Sequence, residues 1–558
     1  MDDLLTTPPA PAVLASAIVV DELAALGVSE IVCCPGSRSA PLAYAAARLE
    51  AQGRVRLHMR LDERSAGYFA LGLAKAGGHA VAIITTSGTA VANLAPALAE
   101  ARFAHVPLVA LTADRPSTLV GTGANQTADQ LGIFGTIPLS LGRVAASDQA
   151  PEAWRAVIRR AVVSAEGRLN LTPGPVQVNI ELSPPLVGEP GPLPAGVPFR
   201  VEPALPGRAV RLDPGPRTVI VAGDMPPDQG KWWAEQADRV RIPLLAEPSS
   251  NARAGSAAIS AYRLLLPGFS PLIERVIVAG HPTLSRPVTD LLARKDVEII
   301  AVGPSTDWVD PGWAVSWVVP QVLLGIGDPA WMEIWAAADR ALRTRLDADR
   351  SWCGRAVATL VWQCLTRDSA LVLGSSNPIR DADLAPISPH PPRVWSNRGL
   401  AGIDGTIASA LGVATVLGQP VTALVGDLTA LHDISSLARP SLEDWPDLRL
   451  VVADDNGGSI FAGLEYGASR SQIGDLADWF ERLFALPMAP DLAGVAASFG
   501  ASVTTVTTSA ELESALRSPQ GGLQFVLAKL ERGQRSSEAK RWSQWGREAV
   551  RQVQRLPG

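Results

Sequence analysis

Short apolar runs alternate along this chain with segments whose apolar positions return every three or four residues. In the first third the runs end near Cys34, Arg60 (RVRLHMR), Thr85 (AVAIITT), Leu111 (PLVAL) and Ile180 (VQVNI), and all but the last lead into a helix or an ordered loop. Runs without internal polar positions are strands buried on both faces, so this alternation predicts a parallel sheet with helices on either side. The pattern stops at SPPLVGEPGPLPAGVPFRVEPALPG, residues 183–207, whose proline density predicts an extended linker. It then resumes twice. TVIVAGD, IPLLAEP, RVIVAG and VEIIAVG outline one block, and ALVLGSS, PRVWSN, VTALVGD, LRLVVADD and LQFVLAKL outline another. A chain of 558 residues exceeds one core. The reading is α/β, with three doubly wound parallel-sheet domains over residues 1–185, 208–345 and 351–558.

Composition narrows the partners. Apolar residues make up 47% of the chain, yet none of the runs is long enough to span a membrane. The start, MDDLLTTPPAP, opens with acids and lacks a basic region followed by an apolar core, so a cytoplasmic location is expected. Cys33, Cys34, Cys353 and Cys364 are few and set among apolar residues, which predicts reduced core thiols and not a disulfide framework. The net charge of −6, with Lys and Arg dispersed, carries no footprint for nucleic acid. An anion must therefore be held by local groups.

Such groups stand where the runs end, the place at which parallel sheets collect ligands. PGSRS puts Ser37 and Arg38 after one strand; TADRP puts Arg115 after another, followed by Asn125 and Gln126 in GANQ. SSNPIR adds Ser376 and Arg380, WSNR adds Arg398, and HPTLSRP adds Arg286. A single loop arginine pairs with a surface acid as readily as with a ligand. Several in matching positions predict a small substrate with more than one carboxylate, which planar guanidinium groups grip bidentately. In LVGDLTALHD and LRLVVADDNGGSIF, one strand ends at Gly426-Asp427 and another at Asp454-Asp455-Asn456-Gly457-Gly458, two oxygen ligands and a glycine-rich turn suited to magnesium that keeps a phosphate in its shell. In HMRLDERSAGYF, Asp62 and Glu63 open a helix, as a cap and a dipole partner would. The chain shows no nucleophile elbow, HExxH or Walker loop, which points to chemistry carried by a cofactor.

Taken as a set, these motifs resemble the thiamine diphosphate-dependent enzymes of the pyruvate-oxidase-like type. PGSRSAPL, TSGTAVANL, TADRP with GANQ, SNRGLAGIDG, and GDLTAL with DNGGSIF resemble more narrowly the 2-succinyl-5-enolpyruvyl-6-hydroxy-3-cyclohexene-1-carboxylate synthases of menaquinone biosynthesis, over about residues 10–465. The resemblance implies a transferase in which Glu63 meets the pyrimidine ring of thiamine diphosphate. Ser87, Gly88, Ile403, Gly426, Leu428, Thr429 and Asn456 would line the cofactor, Ile403 keeping it bent. Asp427, Asp455 and the Gly457 carbonyl would hold Mg2+ or Mn2+. Ser37, Arg38, Arg115, Asn125, Gln126, Arg286, Ser376, Arg380 and Arg398 would surround 2-oxoglutarate and isochorismate, with Ile460, Phe461 and Leu464 as an apolar wall. The resemblance also implies a homodimer or a dimer of dimers. Two positions depart from the wider family: Leu428 stands where its GDG motif has a second glycine, and Asp455 where an asparagine is usual. A 2-oxo acid decarboxylase, an acetohydroxyacid synthase and a non-catalytic nucleotide-binding regulator remain alternatives.

Overall fold

The structure, a computed structural model, describes residues 9–213, 215–303, 305–464 and 479–555. Most of the acidic start lies in residues 1–8, outside the described residues. The chain packs as two units. One comprises Met1–Leu205, Ile407–Gly418 and Ser435–Trp445; the other comprises Pro206–Thr406, Gln419–Ile434 and Pro446–Gly558.

The first unit is built on six parallel strands: β1 (Glu30–Cys33), β2 (Arg56–Met59), β3 (Val81–Thr85), β4 (Leu108–Asp114), β5 (Leu141–Ala145) and β6 (Pro175–Glu181), in the order β2-β1-β3-β4-β6-β5. Residues of β1, β3, β4 and β6 are buried throughout, as expected of strands covered on both faces. Arg155 and Arg159 pair with the buried Glu22 at 2.7 and 2.6 Å. Arg155 Nη2 and Arg159 Nη2 donate to the carbonyls of Pro194 (3.0 Å) and Val197 (2.9 Å), which ties down the proline-rich segment.

The second unit carries two larger sheets. Of β7 (Val210–Leu212), β8 (Thr218–Ala222), β9 (Leu244–Ala246), β10 (Arg275–Ala279), β11 (Glu298–Val302), β12 (Val315–Val319) and β13 (Val322–Leu324), five form the sheet β12-β11-β10-β8-β9, and β7 pairs with β13. The other sheet contains β14 (Ala370–Leu373), β15 (Arg393–Trp395), β16 (Val421–Gly426), β17 (Leu448–Asp454), β18 (Ser502–Val506) and β19 (Leu523–Lys529), in the order β15-β14-β16-β17-β19-β18. Counted from its own first strand, this repeats the order of the first unit's sheet. In both, the chain steps one way to its second strand and the opposite way to its third, the reversal of strand order beside which parallel sheets bind ligands.

Five of the described strands lie outside the sequence expectation: the short pair β7 and β13, and β5, β12 and β18. Each of the last three is the edge strand of its sheet, and most of its residues are at least partly exposed. Among the described residues no helix is long and apolar enough to cross a membrane.

Candidate active site

In the first unit the loops after β1 and β3 touch: a Cβ on Gly36 would overlap the Thr86 side chain. Arg38 rises from this loop and donates from Nη1 to the Leu182 carbonyl at 2.6 Å. Burial holds its pKa below the ordinary arginine value, Arg115 lowers it further, and Asp114 opposes both. Arg115, at the end of β4, donates from Nη1 to Ser87 Oγ and to the Gln126 carbonyl, both at 2.8 Å. Gln126 answers from Nε2 to the Ser87 carbonyl at 2.7 Å. Gly88 has φ +86, and a Cβ there would meet the Gln126 side chain, so glycine is required for this approach. Arg38, Ser87, Gly88, Arg115 and Gln126 are thus gathered around one strand-end crevice, with Ser37 and Asn125 exposed in its loops.

Glu63 opens the helix Glu63–Gly77 just beyond β2. The cap is Asp62, whose side chain accepts from the Arg64 N–H at 2.9 Å. Glu63 is half-buried, near enough to the end of β1 to add to the rise that burial imposes on the Cys34 thiol. Its helix packs closely on Thr406–Leu417, because a Cβ on Gly72 would overlap the Ser409 carbonyl and one on Gly412 the Phe69 carbonyl.

In the second unit β16 ends at Gly426, and Asp427 begins the next helix with its side chain buried. The Gly457 N–H donates to Asp427 Oδ2 at 2.7 Å, which draws the turn after β17 onto it. Burial pushes the Asp427 carboxyl up to about 7, with Asp455 and then Asp454 adding repulsion. Asp455 is pushed up to about 6, again chiefly by burial. Gly457 has φ +132, and a Cβ there would overlap the Ala485 carbonyl. The same carbonyl accepts from the Gly458 N–H at 2.6 Å. Ile403, Gly426, Leu428, Thr429, Ile460 and Phe461 line the same cleft. Asn456 is exposed and its carboxamide oxygen accepts from the Met488 N–H at 3.2 Å, while Leu464 is the last described residue before a gap. Among the described residues no three His, Cys, Asp or Glu side chains gather as a metal cluster.

Arginines also collect in this unit. Ser376, at φ +73, precedes the helix Asn377–Ala382, and Arg380 Nη1 donates to the Ser376 carbonyl at 3.0 Å. Burial lowers the Arg380 pKa, and the charges of Arg398 and Arg263 lower it further. Arg398 is 3% exposed, whereas Arg286 is exposed at the first position of the helix Arg286–Leu292. The floor of the cleft holds residues that no motif announced. Arg535 grips Asp381 through two bonds, at 2.7 and 2.8 Å. Asn377 Nδ2 donates to Ser459 Oγ at 2.6 Å. Asp381 adjoins Arg380 in NPIRD, but its partner lies in a helix far along the chain, so spacing carried no signal.

Residues 14–133 match the thiamine pyrophosphate enzyme N-terminal TPP binding domain, and residues 382–527 match the corresponding C-terminal TPP binding domain. With three larger parallel sheets and strand-end crevices, they define a thiamine diphosphate-dependent transferase. The chain is 45% identical over 538 residues to the 2-succinyl-5-enolpyruvyl-6-hydroxy-3-cyclohexene-1-carboxylate synthase of Kineococcus radiotolerans, covering 92% of this chain and 95% of the relative. It is 45% identical over 548 residues to the enzyme of that name from a Nocardioides species, covering 93% and 95%. The Mycobacterium avium enzyme of that name is 39% identical over 549 residues, covering 94% and 97%. The chain belongs to the family of these synthases.

Proposed function

We propose that this enzyme decarboxylates 2-oxoglutarate and adds the remaining succinyl group to isochorismate, giving 2-succinyl-5-enolpyruvyl-6-hydroxy-3-cyclohexene-1-carboxylate and carbon dioxide in menaquinone biosynthesis. The observation that carries this reading is a pair of neighbouring arginines in each unit, Arg38 with Arg115 and Arg380 with Arg398, each pair close enough for the two charges to act on each other. Two dicarboxylate substrates call for such receptors, whereas decarboxylases and acetohydroxyacid synthases that act on monocarboxylates need fewer.

The residues also fit the cofactor. Asp427 is buried and Asp455 half-buried, and the charge of Asp455 raises the cost of ionising Asp427, a cost that a divalent cation relieves. Together with the Gly457 carbonyl they would hold Mg2+ or Mn2+, and Gly426, Leu428, Thr429 and Asn456 would hold the diphosphate beside it. When bound, thiamine diphosphate supplies a ring carbon that accepts the electron pair released as carbon dioxide leaves. Glu63 has the role of holding and returning a proton at the pyrimidine nitrogen, with capping left to Asp62. Ser87, Gly88 and Ile403 position the ring system. Ser37, Asn125, Gln126, Ser376 and Arg286 supplement the arginine pairs, and Ile460, Phe461 and Leu464 exclude water. The spans 1–185, 208–345 and 351–558 serve as pyrimidine-binding, central and diphosphate-binding domains of a cytoplasmic homodimer or dimer of dimers.

Release of labelled carbon dioxide tests the reading. Purified enzyme with thiamine diphosphate and Mg2+ should release it from 2-oxoglutarate, and faster when isochorismate is present. Release from pyruvate with no response to isochorismate would replace the proposal with a monocarboxylate enzyme.

A further inference from the structure

Behind Arg398 lies a carboxyl that the proposed chemistry does not use. Strand β9 runs directly into Glu247, which is 1% exposed and whose N–H donates to the Ala222 carbonyl at 2.9 Å. The Leu284 N–H donates to Glu247 Oε1 at 2.8 Å, while Oε2 is buried without a hydrogen-bond partner. Arg398 reaches the same loop from the third sheet: its Nη2 donates to Thr283 Oγ1 at 3.0 Å, and its buried Nε has no hydrogen-bond partner. Adjacent residues of one loop are therefore bonded to the carboxyl and to the guanidinium. The Arg398 loop is fixed behind as well, because Ser396 Oγ donates to the Leu373 carbonyl at 2.7 Å and Ser375 Oγ to the Asn397 carbonyl at 3.2 Å.

Two carboxyls serve the neighbouring cations. Asp383 pairs with Arg263 at 3.0 Å and Arg253 at 3.8 Å, and its charge also reaches Arg380. Glu247 faces Arg398 and, more weakly than Asp383 does, Arg380. Ionisation of Glu247 therefore removes one positive charge from what Arg398 and its neighbours offer a ligand.

We propose that Glu247 is a positioning residue for Arg398: held behind the guanidinium through Thr283 and Leu284, it sets both the orientation and the net charge presented to a substrate carboxylate. This rests on the assignment of Arg398 to substrate above. Burial pushes the Glu247 carboxyl up to about 8, against the pull of Arg398 and the Leu284 N–H, while Asp383 adds to the rise. Tyr262, also buried, and Arg380 are the other titratable groups that feel its charge. Below about pH 8 the carboxyl is neutral and Arg398 is fully available. Above it, ionised Glu247 competes with the substrate carboxylate for the same cation.

The experiment is to measure KM and kcat for 2-oxoglutarate and for isochorismate separately against pH, on cofactor-loaded wild type, Glu247→Gln, Glu247→Ala and Arg398→Ala. In the wild type, KM for one of the acids should rise by up to about fivefold from about pH 8 to about pH 9, with kcat changing much less. Glu247→Gln cannot ionise and should flatten that rise, which a merely structural role would not do. Glu247→Ala should raise the same KM at every pH, with the thermal midpoint recorded alongside; if it fails to fold, the Gln variant decides. A wild-type rise in Glu247→Gln overturns the inference. If Arg398→Ala leaves both KM values unchanged, the substrate assignment of Arg398 falls instead. If Arg398→Ala raises a KM that neither Glu247 variant affects, the positioning role alone falls.

Discussion

The first unit's sheet and the third sheet share one strand order, yet they present opposite charge at equivalent strand ends. Each fourth strand finishes on an aspartate, Asp114 in β4 and Asp454 in β17. Each of these accepts from a backbone N–H just downstream, Arg115 at 2.7 Å and Asn456 at 3.1 Å. The next residue is Arg115 in one and Asp455 in the other. The third strands diverge likewise, leading into uncharged Ser87 and Gly88 or into Asp427. In the proposed function the same turn serves as an anion receptor in one sheet and a cation receptor in the other. Backbone geometry provides the crevice, and one or two side chains choose its sign.

Substitutions can sharpen that contrast, and the largest effect is expected at Glu63. Glu63→Gln should lower turnover by about 10²–10⁴-fold while thermal midpoint and cofactor affinity hold, because the cap is Asp62. Wild-type turnover would reduce Glu63 to a partner of the helix dipole. Next, Asp455→Arg would give the third sheet the charge of the first, and it should abolish metal-dependent binding of thiamine diphosphate by calorimetry, as should Asp427→Ala. Binding that survives either change contradicts the cation site. Arg38→Lys should cost roughly 2 kcal/mol, about thirtyfold in kcat/KM, for one of the two acids, since an ammonium cannot reproduce a bidentate fork. Equal constants for both acids would leave Arg38 with only its bond to Leu182.

The smallest effect is thermodynamic. The Asp427 carboxyl is raised to about 7 in the folded chain, so the native state binds more protons than the unfolded one from about pH 4 to about pH 7. Stability of the metal-free protein should therefore fall as pH rises through that window. Mg2+ with thiamine diphosphate should raise the thermal midpoint more at pH 8 than at pH 6, and Asp427→Asn should reduce that difference. Scanning calorimetry across this range checks both statements.

The buried strands were legible because continuous runs such as VAIIT and LVALTAD can only be covered on both faces. Edge strands β5, β12 and β18 were not, because a half-exposed strand such as SVTTV mixes polar and apolar residues as a loop does. At the site, Asp427 and the loop arginines stood out because they gather just beyond the ends of runs, whereas Glu63 read as a partner of the helix dipole until the family resemblance gave it a role. Asp381, Arg535 and Glu247 did not stand out, for different reasons. The first two meet only through tertiary packing across a long separation, and Glu247 in LLAEP looks like any acid that closes a strand. That its environment is fully buried is a property of the fold and not of its neighbours in sequence.

The arginines beneath the Asp427 cleft set an order of events during synthesis. The carboxylates of Asp381, Asp427 and Asp455 leave the ribosome well before Arg532, which donates to the Asn456 carbonyl at 2.8 Å, and before Arg535, which neutralises Asp381. Until those two arginines arrive, the nascent chain carries a cluster of acids without its inner counter-charge, and the turn at Gly457 lacks its brace. On the proposed assignment of this cleft, cofactor capture would be a late step in biogenesis, deferred until the helix Arg535–Gln554 has docked.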